Sequence, residues 1–441
     1  MRPYSTVFAN GVSKMNYSNE VLAKIAAGRH LLKRYNYLLS ILVISAVLRF
    51  FDLSGNPPGV FTDELVPFAA VADLMRGFGV YYTTTVPLSA TFARVLFGQY
   101  QSLFLFGDTT LAIRFPGALY GTILVLLTYI MVRSLFNERL ALWSSFLLAI
   151  SPWAVQASRV FYMNQIQDSL TFLVLGVWLF WTGTSPKSPN KLRLYSSYIV
   201  FGISVGLYFT DDSRFPAAIL FIMLLIYAYK ARKGIWTPRD LQNLFLYSFT
   251  VVGLVLIGLP LLFVGSSSQV SGSAQFYFGS QNILLSEGWK GIETFFARYV
   301  KYFMPRFLFI SGDPNPSQNT GLTGEMLYPS LIFLYLGLAV SIRNIIKRER
   351  YSFPFLLIWI WMLAAPVEIS AFVHGGYTDS SAAMLMMPGI QVFSALGIVT
   401  TIDFVAKKEF RSHSRIGSLR GAGLLNSLRF RKLISVVIVS L

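Results

Sequence analysis

Asp63 and Glu64 stand side by side just after Pro57-Pro58-Gly59, where the first apolar run of the chain has ended. A carboxylate at such a boundary can deprotonate a hydroxyl, or steer a cationic or metal-bound group. The same pair also suits a plain helix start, with Asp63 as N-cap and Glu64 at the positive end of the dipole. Asp168 is a second acid of interest. It falls inside or at the edge of an apolar run, in the stretch Ser158-Arg159 through Asn164-Gln165-Ile166-Gln167-Asp168. A carboxylate at a bilayer centre costs about 2.5–3.5 kcal/mol, so acids there usually face a cavity or a partner. A structural pair with Arg159 would explain Asp168 without chemistry.

Basic residues supply the complementary charge. Arg114, in Ala112-Ile113-Arg114-Phe115-Pro116-Gly117-Ala118, opens another apolar run, either as an anion clamp on a phosphate or as a cation snorkelling to headgroups. Arg298, Lys301 and Arg306 interleave with aromatics in Tyr299-Val300-Lys301-Tyr302-Phe303-Met304-Pro305-Arg306, and Lys290 lies nearby. That pattern suits a lipid phosphate or a general attraction to headgroups. Asp211-Asp212-Ser213-Arg214 reads equally as a solvated turn with a local ion pair or as part of a cavity wall. His374, with Glu368 and Asp379 near it, is a candidate metal ligand together with Glu64, so a divalent metal is a candidate cofactor. A lone His is more often simply hydrogen-bonded. No P-loop, dinucleotide-binding glycine loop or hydrolase nucleophile elbow is present. The absence of cysteine excludes disulfides, thiolate metal sites and cysteine nucleophiles.

These residues must be positioned by helices in lipid. The 441-residue chain is 54% hydrophobic and 13% charged, whereas a soluble protein carries about a quarter charged residues. Several runs reach the roughly 20 apolar residues that a bilayer crossing needs. They fall at 36–51, 110–132, 140–157, 164–182, 195–210, 215–230, 242–264, 327–342, 353–372 and 381–402. Aromatics such as Tyr35, Tyr37, Trp178 and Trp181 sit at run ends, as headgroup-level rings do. With residues 1–35 in the cytoplasm, 27 of the 37 Lys and Arg fall inside and 14 of the 20 acids fall outside. The positive-inside rule therefore accounts for the net charge of +17 by topology and not by nucleic-acid binding.

Residues 88–106 are apolar enough to cross, yet a crossing there would invert every later segment. They are expected to lie on the outer leaflet as an interfacial helix, with a shorter one at 64–76. The expected fold is thus an all-α integral membrane protein with about 10–11 transmembrane helices. A cytoplasmic segment at 1–35 precedes a multi-span domain at 36–402, with long outer loops at 52–109 and 265–326 and a helical stretch near 287–303. Residues 403–441 form a basic cytoplasmic segment and begin a final run at Leu433. Nine residues span only about 14 Å, so that run reads as a span cut short. The N-terminus lacks a cleavable signal pattern.

In this order and spacing the motifs resemble the GT-C superfamily of membrane glycosyltransferases. The branch resembled is that of the protein O-mannosyltransferases and aminoarabinose transferases (family 39-like). The resemblance runs over roughly 36–400. It rests on Pro57-Pro58-Gly59-Val60-Phe61-Thr62-Asp63-Glu64, on Leu111 to Leu119 around Arg114 and Pro116, on Ile150-Ser151-Pro152 through Ser158-Arg159, and on Phe307 to Asn315 followed by Gly321 and Gly324. It implies transfer of a sugar from a polyprenyl-phosphate donor to an acceptor hydroxyl on a protein, lipid or polysaccharide at the outer face of the cell membrane. Asp63 then matches the general base, Arg114 a basic position near the donor phosphate (with Arg306 and Lys301 as further phosphate candidates), and Asp168 a second acid in a cavity wall that Asp211, Asp212 and Arg159 help to line. The chain departs from the branch at Ser317-Gln318-Asn319, where relatives often carry Arg-His, and at Asp211-Asp212. A proton-coupled lipid or solute transporter is the competing class, though the paired halves usual in transporters are not evident in the sequence.

Overall fold

The computed structural model describes residues 35–60, 64–65, 68–69, 71–72, 98–185, 189–207, 214–231, 284, 287–315, 319, 321–371 and 380–416. Among them all regular structure is helical. The apolar runs become α1 (Tyr35–Phe50), α3 (Thr110–Leu135), α4 (Glu138–Ala149), α5 (Pro152–Arg159), α6 (Phe161–Gly183), α7 (Lys191–Leu207) and α8 (Arg214–Ala231). The later ones become α10 (Ser330–Ile346), α11 (Ser352–Ala364), α12 (Val367–Ala371), α13 (Ser380–Ala383) and α14 (Gly389–Ile416). Two further helices lie in the loops, α2 (Gln99–Phe106) and α9 (Gly288–Lys301). By length and apolarity, three helical stretches among the described residues can cross a membrane: Thr110–Leu135, Ser352–Ala371 and Met384–Ala406. The bent pair α4–α5 would make a fourth. The expected run at 242–264 lies outside the described residues.

Helix starts follow local chemistry. Thr109 Oγ1 accepts from the Ala112 amide at 3.2 Å and Asn137 Oδ1 accepts from the Leu140 amide at 3.0 Å, each satisfying a donor that the first turn leaves over. Prolines set the breaks. The run read as one span over 140–157 is two helices meeting at 54°. Pro152 has no N–H to continue the α4 ladder, so it opens a new helix instead. Ala365-Pro366 likewise separates α11 from α12. Pro388 precedes α14, which begins later than the expected residue 381.

Pro116 sits inside α3, where it deprives the Ala112 carbonyl of its helical donor. Two side chains of α2 replace that donor: Gln99 Nε2 at 3.1 Å and Ser102 Oγ at 2.7 Å. Gln99, which interrupts the apolar run of 88–106, thus docks α2 on α3.

α10 and α14 touch backbone to backbone. A Cβ on Gly337 would collide with the Phe393 carbonyl, and one on Gly397 with the Phe333 carbonyl. Close approach through small residues is a standard way to pack helices where lipid supplies no hydrophobic drive. Trp153 and Trp361 are fully buried at the centre, and their indole N–H groups donate to the carbonyls of Ser380 (3.0 Å) and Leu385 (2.8 Å). Buried Trp needs such a partner.

Candidate active-site cleft

α1 ends at Phe50, and the chain then turns through residues 51–59. Three arginines from three helices cluster around this turn, two of them bonded to it directly. Arg159, the last residue of α5, donates to the carbonyls of Leu48 (2.9 Å), Arg49 (3.4 Å), Asp52 (3.0 Å) and Asn56 (2.8 and 3.2 Å). The carbonyls of Leu48 and Arg49 are among those that the end of α1 leaves without partners, and those of Asp52 and Asn56 belong to the turn itself. Arg49 of α1 returns the favour to α4: it donates to the carbonyls of Ala149 (3.0 Å) and Leu148 (3.4 Å) and to Ser158 Oγ (3.0 Å). Each arginine therefore sits at the negative end of the other segment's helix, where a cation is favoured.

Arg114 of α3 is the third. Its Nε donates to Glu64 Oε1 (3.2 Å), its Nη2 to Glu64 Oε2 (3.0 Å) and to the Gly59 carbonyl (2.6 Å), and its Nη1 to the carbonyls of Pro57 (2.8 Å) and Leu53 (3.4 Å). Both side chains of the pair are fully buried. The geometry bears on the roles expected of both residues. All five N–H donors of Arg114 are occupied in this structure, as those of Arg159 are, so either would act on a donor phosphate through its charge and not through a free N–H. Glu64 is committed to Arg114, a cation that competes with the metal and catalytic roles expected of that carboxylate. The pair anchors the loop to α3.

Behind the turn, Ser158 Oγ donates to Gln167 Oε1 (2.9 Å), and Gln167 Nε2 donates to the Gly117 carbonyl (2.8 Å). The network passes so close to α3 that a Cβ on Gly121 would collide with Ser158 and come within 3 Å of Gln167 and Arg49.

These elements enclose a cleft of about 470 Å³ at this end of the bundle. Asn56, Gln156 and Arg159 give it a polar, cationic floor. Val47 and Leu48 from α1, with Phe51 just past its end, form one apolar lip, and Leu322 from the second loop forms the other. Phe51 and Leu322 are among the most exposed apolar residues described, at 74% and 87%.

The loop carrying Leu322 is tightly closed. Arg306–Ile310 forms one turn of π-helix, a distortion frequent at functional sites. The amides of Gly324 and Met326 donate to the carbonyls of Phe309 (3.1 Å) and Leu308 (2.7 Å), which shuts the loop at its base. Asp313 is buried. Its Oδ1 accepts from the Asn315 amide (2.7 Å), its Oδ2 from the Ser380 amide (2.6 Å), and its own amide donates to Glu325 Oε1 (3.0 Å). Burial raises the Glu325 pKa to about 8, with the Asp313 charge adding to the rise and the amide bond opposing it. Gln156 Nε2 reaches the Asn319 carbonyl at 3.5 Å, linking loop and cleft floor.

The remaining sequence candidates are scattered. Asp168 is half-buried on α6, within electrostatic reach of Tyr120 on α3. The suggested structural pair of Asp168 with Arg159 does not form, because the Arg159 guanidinium is taken by carbonyls. Lys301 and Arg306 are exposed at and just beyond the end of α9. Asp63, Asp211, Asp212 and His374 lie outside the described residues. Among the described residues no group of three His, Asp or Glu side chains is placed to hold a metal ion.

Sequence reasoning missed Arg49, Glu325 and the structural role of Asp313. Arg49 carried a signal, since a charge inside an apolar run is a site by default. Glu325 carried only a weak one, as a lone acid beside Gly324 ahead of an apolar run.

Residues 96–262 match the family described as dolichyl-phosphate-mannose-protein mannosyltransferase. Over 269 residues, 58% of the chain, the sequence is 26% identical to the protein named "Putative mannosyltransferase YkcB" of Bacillus subtilis strain 168. The fold resembles the archaeal oligosaccharyltransferase AglB of Archaeoglobus fulgidus, solved with an inhibitory peptide and dolichol-phosphate. The TM-score is 0.53 at 16% identity, over 91% of this chain and 54% of that one. It also resembles ArnT of Cupriavidus metallidurans bound to undecaprenyl phosphate, with a TM-score of 0.51 at 11% identity over 89% of this chain and 66% of that one. The chain spans 34% of the length of YkcB and about half that of AglB.

Proposed function

We propose that the chain is a GT-C-type glycosyltransferase that moves a sugar from a polyprenyl-phosphate donor to an acceptor hydroxyl, a reading supported by the family match over 96–262, the likeness to YkcB and the shared fold of AglB. The observation that carries this reading is the two-sided cleft. Its apolar lips suit a prenyl chain entering from lipid, and its floor of Arg159, Asn56 and Gln156 suits a phosphate and sugar hydroxyls. AglB and ArnT, of the same fold, were solved with dolichol-phosphate and undecaprenyl phosphate respectively. A bound donor has its charge at headgroup level, and on the reading of α1 as a span the cleft at its end falls at that level.

In the proposed reaction the acceptor oxygen attacks the anomeric carbon and its proton passes to the Asp63 carboxylate. The bond from the anomeric carbon to the phosphate oxygen breaks, and polyprenyl phosphate leaves with the electron pair. Asp63 holds the role of base through the family resemblance, and Asp168 that of a second acid in the cavity wall. Arg159 lends the leaving phosphate its charge without a direct hydrogen bond, as a fixed dipole or cation does in a preorganised site. Holding donor and acceptor together contributes much of the remaining rate. The chain is read as multi-pass in the cell membrane, N-terminus inside and cleft outside, on the distribution of Lys and Arg. The acceptor is a hydroxyl of a protein, lipid or polysaccharide.

The test is transfer of labelled sugar from a polyprenyl-phosphate donor by the reconstituted chain, with Asp63→Asn as the control variant. Transfer by the unaltered chain and its loss in a folded Asp63→Asn protein supports the reading. No release of sugar from any polyprenyl donor, with solute flux driven by a pH gradient, supports the transporter class instead.

A further inference from the structure

α9 presents an apolar face that the protein leaves uncovered. Trp289, Phe296 and Val300 recur at helical spacing along one side, with the exposed Glu293 between the first two, and Met304 extends the stripe past the end of the helix. Their exposures are 86%, 57%, 46% and 46%. The other side of the helix is held by the bundle: the Tyr299 hydroxyl donates to the Leu363 carbonyl at 2.7 Å, and Tyr302, just past the helix, is buried against Phe307 with ring centroids 5.4 Å apart. Phe307 in turn meets Trp153 edge-on at 5.9 Å. Trp153 belongs to α5, so α9 lies at the same end of the bundle as the cleft.

Lys290, Lys301 and Arg306 are all exposed around this stripe. From Glu287 to Arg306 there are four basic residues, these three and Arg298, against the two acids Glu287 and Glu293. An exposed Trp-Phe-Val-Met face rimmed by cations is the pattern of a helix lying in the headgroup layer. Even with Glu293 set into the stripe, soluble surfaces rarely expose a Trp, a Phe, a Val and a Met side by side in water. A second copy of the chain would place the same cations against one another, which costs binding. The excess of positive charge instead favours an anionic partner.

We infer that α9 is a lipid-recognition element: its Trp289–Met304 face inserts in the leaflet on the cleft side, and Lys290, Lys301 and Arg306 bind the phosphates of anionic phospholipids there. This surface is distinct from the cleft, and the inference stands whether or not the chain transfers sugar. It supplies a reason for the cleft to be held at headgroup depth, because α9 and α5 are joined through Tyr302, Phe307 and Trp153.

The experiment uses the full chain reconstituted in phosphatidylcholine vesicles and the variant Trp289→Phe. The difference between their tryptophan emissions isolates Trp289 from the other seven tryptophans. Phospholipids brominated near the headgroup or near the bilayer centre serve as quenchers, carried on either phosphatidylcholine or phosphatidylglycerol. The expected result is quenching of the Trp289 emission by the shallow label more than by the deep one. Brominated phosphatidylglycerol should quench more than brominated phosphatidylcholine at the same mole fraction, because each engaged cation raises the local affinity for the anionic lipid by a factor of about 5. The triple variant Lys290→Gln/Lys301→Gln/Arg306→Gln should keep the depth profile and lose the preference for phosphatidylglycerol. Equal quenching by the two lipids in the unaltered chain would overturn the recognition of anionic headgroups. Emission quenched only by aqueous iodide would overturn the membrane placement. Protection from both quenchers would show a protein covering the face, and would overturn it as well.

Discussion

Arg114 and Glu64 form a bidentate ion pair, 3.2 and 3.0 Å, between two side chains with no exposure to solvent. The three remaining N–H groups of Arg114 close on the carbonyls of Leu53, Pro57 and Gly59. One guanidinium thus fixes both ends of the segment that runs from the end of α1 toward Glu64. Taking two charges out of water is repaid only when the remaining hydrogen-bonding groups are also satisfied, and here the five donors of Arg114 are.

Removing one partner leaves a buried charge without compensation, which costs about 3–5 kcal/mol. Arg114→Ala and Glu64→Ala should each lower the unfolding midpoint in detergent strongly. The double variant should lose clearly less than the sum of the two. Arg114→Lys should behave much like Arg114→Ala, because an ammonium cannot reproduce the fork or reach three carbonyls as well. Additive losses in the double variant would mean that the pair is not a unit.

A second relationship predicts a rescue. Gln99→Leu with Ser102→Ala strips the Ala112 carbonyl of both its side-chain donors, at a cost of about 1–3 kcal/mol for a buried unsatisfied group. Pro116→Ala restores the backbone N–H that proline lacks. In that background the same two substitutions should cost measurably less, as read by thermal unfolding. An undiminished cost would point to packing rather than to the carbonyl.

The pH dependence of stability follows from Glu325. Burial raises its pKa in the folded protein to about 8, against an ordinary value of 4.5. Between these values the folded state holds a proton that the unfolded state has released. Stability therefore falls as pH rises through this window and levels off above about 8. Glu325→Gln keeps an oxygen to accept from the Asp313 amide and removes the charge. It should flatten this part of the profile and raise the melting temperature at pH 8–9. A profile unchanged in Glu325→Gln would place the dependence on another group.

The apolar framework was legible in the sequence because lipid demands long apolar runs, and α3, α6 and α8 follow their runs to within a few residues. The bend between α4 and α5 was not, since the carbonyls freed at Pro152 find their donor in Arg49, about 100 residues away. Arg114 and Arg159 were legible as candidates and opaque as to role. Their partners are mostly backbone carbonyls, which every residue carries and no sequence pattern marks. Glu325 illustrates the same limit, because its altered acidity depends on burial by a loop that closes through Phe309, Gly324 and Ser380.

Leu322 separates cleft entry from folding. It is 87% exposed, so Leu322→Ser should change stability by less than about 0.5 kcal/mol. If the lip guides a prenyl chain, this variant should raise KM for a long-chain polyprenyl donor and leave a short, water-soluble analogue unaffected. Equal effects on both donors would remove Leu322 from the path of the lipid.

The account rests most directly on one measurement: sugar released from a labelled polyprenyl-phosphate donor to an acceptor hydroxyl by the reconstituted chain, compared with Asp63→Asn at matched folding. Removing a general base typically costs about 10²–10⁴ in rate, so transfer in Asp63→Asn should fall by at least a hundredfold while its melting temperature stays within a few degrees. Transfer at the unaltered rate in a folded Asp63→Asn protein would contradict the assignment of Asp63, and donors left intact by the unaltered chain would contradict the proposed reaction itself.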